Sequence, residues 1–115
     1  MGSLVRAQAG ERRLSVNDSL FYCMVVYILQ SKSSGRFYIG QTENPQVRLQ
    51  QHNAPDNAHF TKRDQPWVMV AQIECSSRQQ AMKLEAFIKK QKSRAFIEKL
   101  IASEQVRISL LQRFQ

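Results

Sequence analysis

The sequence predicts a single α+β domain, and three observations carry that expectation. Three short runs rich in β-branched and aromatic residues, Cys23 to Leu29, Arg36 to Gly40 and Trp67 to Glu74, read as strands. Two stretches with apolar residues at helical spacing, about Arg78 to Lys90 and Ala95 to Leu111, read as helices. Asn44-Pro45 marks a shorter helix between the second and third strands. The order is therefore β-β-α-β-α-α. With 115 residues, 43% of them hydrophobic, the chain is long enough to close one core.

Each element has a local cause. Residues 1–20 show no sustained periodicity and read as a flexible leader, with the domain starting near Phe21. The leader has no contiguous apolar segment, so a secretory signal is not expected. Cys23 to Leu29 (CMVVYIL) is rich in β-branched residues and reads as a buried strand. Gln30 to Gly35 (QSKSSG) is a turn by composition and joins the first two strands in a hairpin. If that turn centres between Lys32 and Ser33, Tyr27 faces Tyr38 directly. Asn44 caps the short helix and Pro45 starts it, because the missing proline N–H would have had no partner there. The helix runs to about His52. Asn53 to Gln65 is a polar loop punctuated by Asn53, Pro55, Asp56 and Asn57. Ser76 or Ser77 caps the next helix, and Ser93 caps the last. In that last helix Ile97, Leu100, Ile101, Ile108 and Leu111 share one face.

Charge narrows the function classes. Lys and Arg number 17 against 9 Asp and Glu, a net charge of +8. An anionic partner, nucleic acid first, is the functional reading; a solvated basic surface is the plain one. No window approaches the ~20 apolar residues of a membrane-spanning helix, so no membrane role is expected. Cys23 and Cys75 lack Cys or His neighbours at zinc spacing and read as reduced core thiols of a cytoplasmic protein. No phosphate-binding Gly-rich loop or dinucleotide fingerprint is present.

Several residues could carry chemistry. Tyr27 and Tyr38 fall on one face of the hairpin, either as core aromatics with rim hydroxyls or as a pair of catalytic phenols. Arg48 and His52 follow Pro45 on one helical stripe, where an Arg fork suits phosphate oxygens. Glu85 lies about 40° from Ala81 and about 60° from Ile88 on the helical wheel, at the edge of the core-facing stripe. A carboxylate there needs a compensating cation, hydrogen-bonded water, or a neighbour such as Lys89. Arg36, Thr61, Lys62, Arg63, Lys89 and Lys90 are candidates for contact with a nucleic-acid backbone.

Taken together, these residues resemble the GIY-YIG nuclease family. Val25-Val26-Tyr27 stands at the first triplet, Tyr38-Ile39-Gly40 is the second triplet verbatim, and Arg48, His52 and Glu85 follow in order. The resemblance spans about Tyr22 to Leu100. The stretches Gly35 to Asn53, Pro66-Trp67 and Ala81 to Glu85 are similar to two branches. One comprises eukaryotic structure-selective flap and junction endonucleases. The other comprises small bacterial single-domain members related to the nuclease half of excinuclease C, which the ending KKQKSRAFIEKLI favours.

The resemblance implies a three-stranded antiparallel sheet flanked by helices and a metal-dependent DNA endonuclease, structure-selective in repair or recombination. Tyr27 and Tyr38 would position or deprotonate water, with either as the base. Its anion would have to be favoured by nearby cations. Arg48 would bind the scissile phosphate, and His52 would support the water or Tyr27. Glu85 would be the sole protein ligand of Mg²⁺ or Mn²⁺. Gly40 would let the backbone turn tightly beside the site. The chain departs from the pattern in its VVY triplet and at Gln41, where excinuclease C relatives carry Lys. Two other readings compete: a nucleic-acid-binding module that is inactive or cuts only with a protein partner, and a basic interaction domain.

Overall fold

The computed structural model of the chain describes residues 24–55 and 60–115. The expected leader over residues 1–20, the domain start at Phe21, Cys23, Asp56 and Asn57 lie outside the described residues. The described part holds strands β1 (Met24–Ser31), β2 (Phe37–Thr42) and β3 (Trp67–Cys75). They form one antiparallel sheet in the order β2-β1-β3. Four helices accompany it: α1 (Pro45–His52), α2 (Arg78–Gln91), α3 (Arg94–Ala102) and α4 (Glu104–Gln112). The expected polar loop also contains a 3-10 turn, Phe60–Asp64. This is the α+β class that the sequence implied.

The central strand explains its own composition. β1 is hydrogen-bonded on both edges and packed on both faces, so every residue from Met24 to Leu29 is buried. Met24, Val26 and Ile28 join the main core, with Ala81, Leu84, Ile88 and Leu100 from α2 and α3. Tyr27 and Leu29 point the other way, into a smaller cluster with Trp67, Tyr38 and Leu49.

A bulge in β3 serves both clusters. Ile28 pairs with Ala71, yet Leu29 pairs with Met69, so Val70 is the extra residue. With strict alternation Trp67, Met69, Ala71, Ile73 and Cys75 would all share one face. The bulge instead leaves Ala71, Ile73 and Cys75 in the main core and turns Trp67 and Met69 toward α1.

Helix termini follow the capping residues. Asn44 Oδ1 accepts from Val47 N at 3.2 Å, with Pro45 opening α1. Ser77, rather than Ser76, caps α2 by accepting from Gln80 N at 3.0 Å. The Gln80 side chain reaches back to Ser76 N at 2.7 Å, a variant of the reciprocal capping box.

The expected single helix over Ala95 to Leu111 is two. Ser103 adopts extended backbone, ends α3 and caps α4 by accepting from Val106 N at 3.2 Å. Arg107 satisfies carbonyls freed at the break, donating to Leu100 O at 2.5 Å and Ile101 O at 3.1 Å. The break rotates the apolar stripe, so Ile108 is 42% exposed while Leu110 takes the core position.

Candidate active site

The site forms where β1, β2 and α1 converge. Tyr27 and Tyr38 do lie on one face, with ring centroids 6.2 Å apart. They are not direct partners: Tyr27 pairs with Gly40 and Tyr38 with Leu29. The turn is displaced by one residue from the expected centre, because Gly35 takes the left-handed conformation (φ 78°) and donates to Ser31 O at 2.9 Å. A shift of the centre by one residue moves each pairing by two, so the tyrosines keep a common face.

Gly40 has a different role from the expected tight turn. It sits inside β2, opposite Tyr27. A Cβ there would lie 2.6 Å from the Tyr27 hydroxyl and 2.8 Å from Cζ. Glycine thus provides the space into which the Tyr27 ring lies across the edge strand.

Helix α1 supplies the partners of that ring. The Tyr27 hydroxyl is 3.2 Å from His52 Nε2, and both residues are buried. Tyr38 meets His52 edge-on at 4.6 Å, and Trp67 closes the cluster at 6.2 Å from Tyr38. Arg48 is half-buried and favours the Tyr27 anion by charge and as a hydrogen-bond donor. Burial acts more strongly, followed by the neighbouring Tyr38, and Glu85 adds to them; the Tyr27 phenol is pushed up to about 12. The expectation that nearby cations favour a phenolate is therefore corrected for Tyr27: Arg48 acts in that direction and burial outweighs it.

Glu85 approaches from α2, on the opposite face of β2. Ala81, Leu84 and Ile88 are buried as their spacing required, and Glu85 sits at the edge of that stripe with its side chain 16% exposed. Its Oε2 lies 2.6 Å from Lys89 Nζ, and its Oε1 accepts from Gln41 Nε2 at 2.9 Å. Among the described residues no group of three His, Cys, Asp or Glu converges on a metal position. A lone carboxylate is a hard oxygen donor. It fits a divalent ion that keeps most of its water, and does not fit a closed zinc site.

Two grooves border this point. One, of about 360 Å³, is lined by Gln41, Asn44, Arg48, Gln51 and Arg78 among others. The other, of about 410 Å³, includes Phe37, Tyr38, Lys89, Lys92, Arg94 and Ile97. Glu85 bonds to one wall residue of each, Gln41 and Lys89.

Of the expected backbone contacts, only Lys89 touches the site. Lys90, Lys62 and Arg63 are exposed. Arg36 is exposed and lies 3.6 Å from Asp64. The side chain of Thr61 lies outside the description.

Four contributors were not read from the sequence. Gln41 stands out in the sequence only as a departure from the Lys of excinuclease C relatives. Trp67 reaches the site through the Val70 bulge. Asn53, expected only to break α1, also clamps Trp67: its Nδ2 donates to Trp67 O at 2.9 Å and its Oδ1 accepts from Trp67 N at 2.6 Å. Gln65 Nε2 donates to His52 O at 2.7 Å and Ala54 O at 2.9 Å. Asn directly after a helix end was a visible cap signal; its second partner was not.

Residues 23–99 match the GIY-YIG catalytic domain. UPF0213 protein SH2523 of Staphylococcus haemolyticus is 41% identical over 64 residues, covering 56% of this chain and 77% of that protein. Structure-specific endonuclease subunit SLX1 of Candida glabrata is 53% identical over 51 residues, covering 39% of this chain and 16% of that protein. The corresponding subunit slx1 of Schizosaccharomyces japonicus is 40% identical over 50 residues, covering 42% and 18%. The matched segments thus span less than a fifth of those two endonuclease subunits.

Proposed function

The chain belongs to the GIY-YIG family, and from that premise we propose that it is a metal-dependent endonuclease that hydrolyses DNA phosphodiester bonds in branched or flapped structures. One observation carries the reading. A buried phenol lies 3.2 Å from an imidazole, Arg48 rides on the same helix as that imidazole, and the carboxylate of Glu85 is tied to the neighbouring edge strand through Gln41.

Glu85 would hold a divalent ion, Mg²⁺ or Mn²⁺, which would supply positive charge for the leaving 3′ oxygen. Arg48 binds the non-bridging phosphate oxygens through its planar fork. Tyr38, edge-on to His52, orients the attacking water together with Tyr27. Tyr27, pushed up to about 12, is protonated near neutrality and is not a base by itself. Its contact with His52 offers a relay: water gives a proton to Tyr27 Oη while the phenol's own proton passes to His52 Nε2. The new P–O bond forms, the P–O3′ bond breaks, and solvent protonates the 3′ oxygen. The products are a 5′ phosphate and a 3′ hydroxyl.

Lys89, Lys92 and Arg94 in one groove, and Arg48 and Arg78 in the other, support a strand path on both sides of Glu85. Lys62, Arg63, Arg36 and Lys90 extend the basic surface, consistent with the net charge of +8. The core packing of Cys75 supports a reducing, cytoplasmic setting. No helix among the described residues is long and apolar enough to cross a membrane. The SLX1 relatives are subunits of a structure-specific endonuclease, which supports a protein partner and work in repair or recombination for this chain.

The competing reading, a module that binds nucleic acid without cutting, draws on Glu85 having both oxygens already engaged. Binding and cleavage of flap, four-way-junction and plasmid DNA, measured side by side with Mg²⁺, Mn²⁺ or EDTA, separates the two. Cleavage with either metal and none in EDTA is expected. Binding at low salt with no cleavage under any metal would favour the module.

A further inference from the structure

The amide of Gln41 is asymmetric in its bonding. Its Nε2 donates to Glu85 Oε1 at 2.9 Å, whereas its Oε1 is buried and has no hydrogen-bond partner. A buried acceptor without a donor is disfavoured, and the opposite amide orientation would be worse: it would set oxygen against carboxylate oxygen. The observed orientation is the one that the negative charge of Glu85 favours.

A cation on Glu85 reverses that electrostatic preference. A half-turn of the terminal amide exchanges its two ends, and Oε1 then occupies the place beside Glu85 that Nε2 now holds. The oxygen gains a partner and the cation a second hard oxygen from the protein, while Nε2 moves to the buried position without a hydrogen-bond partner, a cost that the charge of the ion must outweigh. We infer that Gln41 is an oxygen ligand, together with Glu85, of the divalent ion. Oxygen-only donors from a strand and a helix then select Mg²⁺ or Mn²⁺ over softer ions. The inference rests on the reading of Glu85 as the ion's carboxylate.

Lys89 competes at the other carboxylate oxygen, 2.6 Å from Oε2, and is 53% exposed. It can swing to solvent without leaving a buried charge. Gln41 is less exposed than Lys89, and its amide already lies against Glu85.

Mn²⁺ binding by the full chain without nucleic acid, followed by electron paramagnetic resonance, tests this apart from cleavage. Gln41→Met keeps length and removes the oxygen; it is expected to weaken Mn²⁺ binding about tenfold. Gln41→Glu adds a charged oxygen and is expected to tighten binding. Glu85→Gln should abolish it. Thermal unfolding of each variant checks that the fold persists. Parental affinity in both Gln41 variants, with loss in Glu85→Gln, would overturn this inference and leave the metal-dependent reading intact. No Mn²⁺ binding by the parent at millimolar concentration would overturn both.

Discussion

Gly40 stands directly opposite Tyr27, and the tyrosine ring fills the space where any other residue would carry its Cβ. The third position of the Tyr38-Ile39-Gly40 triplet is thus set by the residue across the hairpin. Gly40→Ala would place a carbon 2.6 Å from the Tyr27 hydroxyl, and that ring is fully buried. Overpacking of this kind costs about 1–3 kcal/mol. Urea unfolding should show a loss of that size, and cleavage should fall because Tyr27 is displaced from His52. Parental stability and activity would refute the assignment of space as the reason for glycine.

Tyr27 makes alkaline stability a second readout. Its folded pKa of about 12 lies above the ordinary phenol value of 10.0, so the folded state holds the proton more tightly. The contribution is complete below about pH 10 and is lost as pH rises toward 12; two units correspond to about 2–3 kcal/mol. Parent and Tyr27→Phe should be compared by urea unfolding from about pH 9 upward. The parent should lose more stability than the variant between about pH 10 and 12. Parallel profiles would contradict the assignment.

The clamp between Asn53 and Trp67 ties the end of α1 to the start of β3. Asn53→Ala removes two hydrogen bonds and leaves backbone groups of Trp67 without that partner. A loss of about 1–3 kcal/mol is expected. His52 and Arg48 ride on the same helix, so cleavage at saturating DNA should fall as well. A stability loss with undiminished turnover would show that the clamp does not position the site.

Much of the fold was legible because its signals are local. Asn44-Pro45 and Ser77 mark helix starts through their own side chains, and the apolar run of β1 reflects burial on two faces. Ser103 carried the same kind of signal, but apolar spacing continued past it and masked the break. The Val70 bulge was hidden because Val68, Met69, Val70 and Ala71 are all apolar, so no alternation reported which face each took. In QSKSSG several residues accept a turn, and only the left-handed backbone of Gly35 fixes the register.

The candidate site divides in the same way. Tyr27, Tyr38, Arg48, His52 and Glu85 were named from a motif resemblance, and their neighbourhood follows from strand parity and helix spacing. The bond from Gln41 to Glu85 joins residues 44 positions apart, on a strand and a helix, and nothing local announces it.

Exposed Lys62 and Arg63 should act on binding alone. Replacing both with Ala is expected to lower the salt slope of DNA binding by about 2 and to leave cleavage at saturating DNA unchanged. Measuring affinity across a salt series checks this. An unchanged slope would remove the 3-10 turn from the DNA interface.

The most direct test is a crystal structure with Mn²⁺ and a DNA fragment, using the metal's anomalous signal to locate it. One strong peak is expected against Glu85, with the scissile phosphate between Arg48 and the two phenols. A peak elsewhere, or a phosphate remote from Tyr27 and Tyr38, would contradict it.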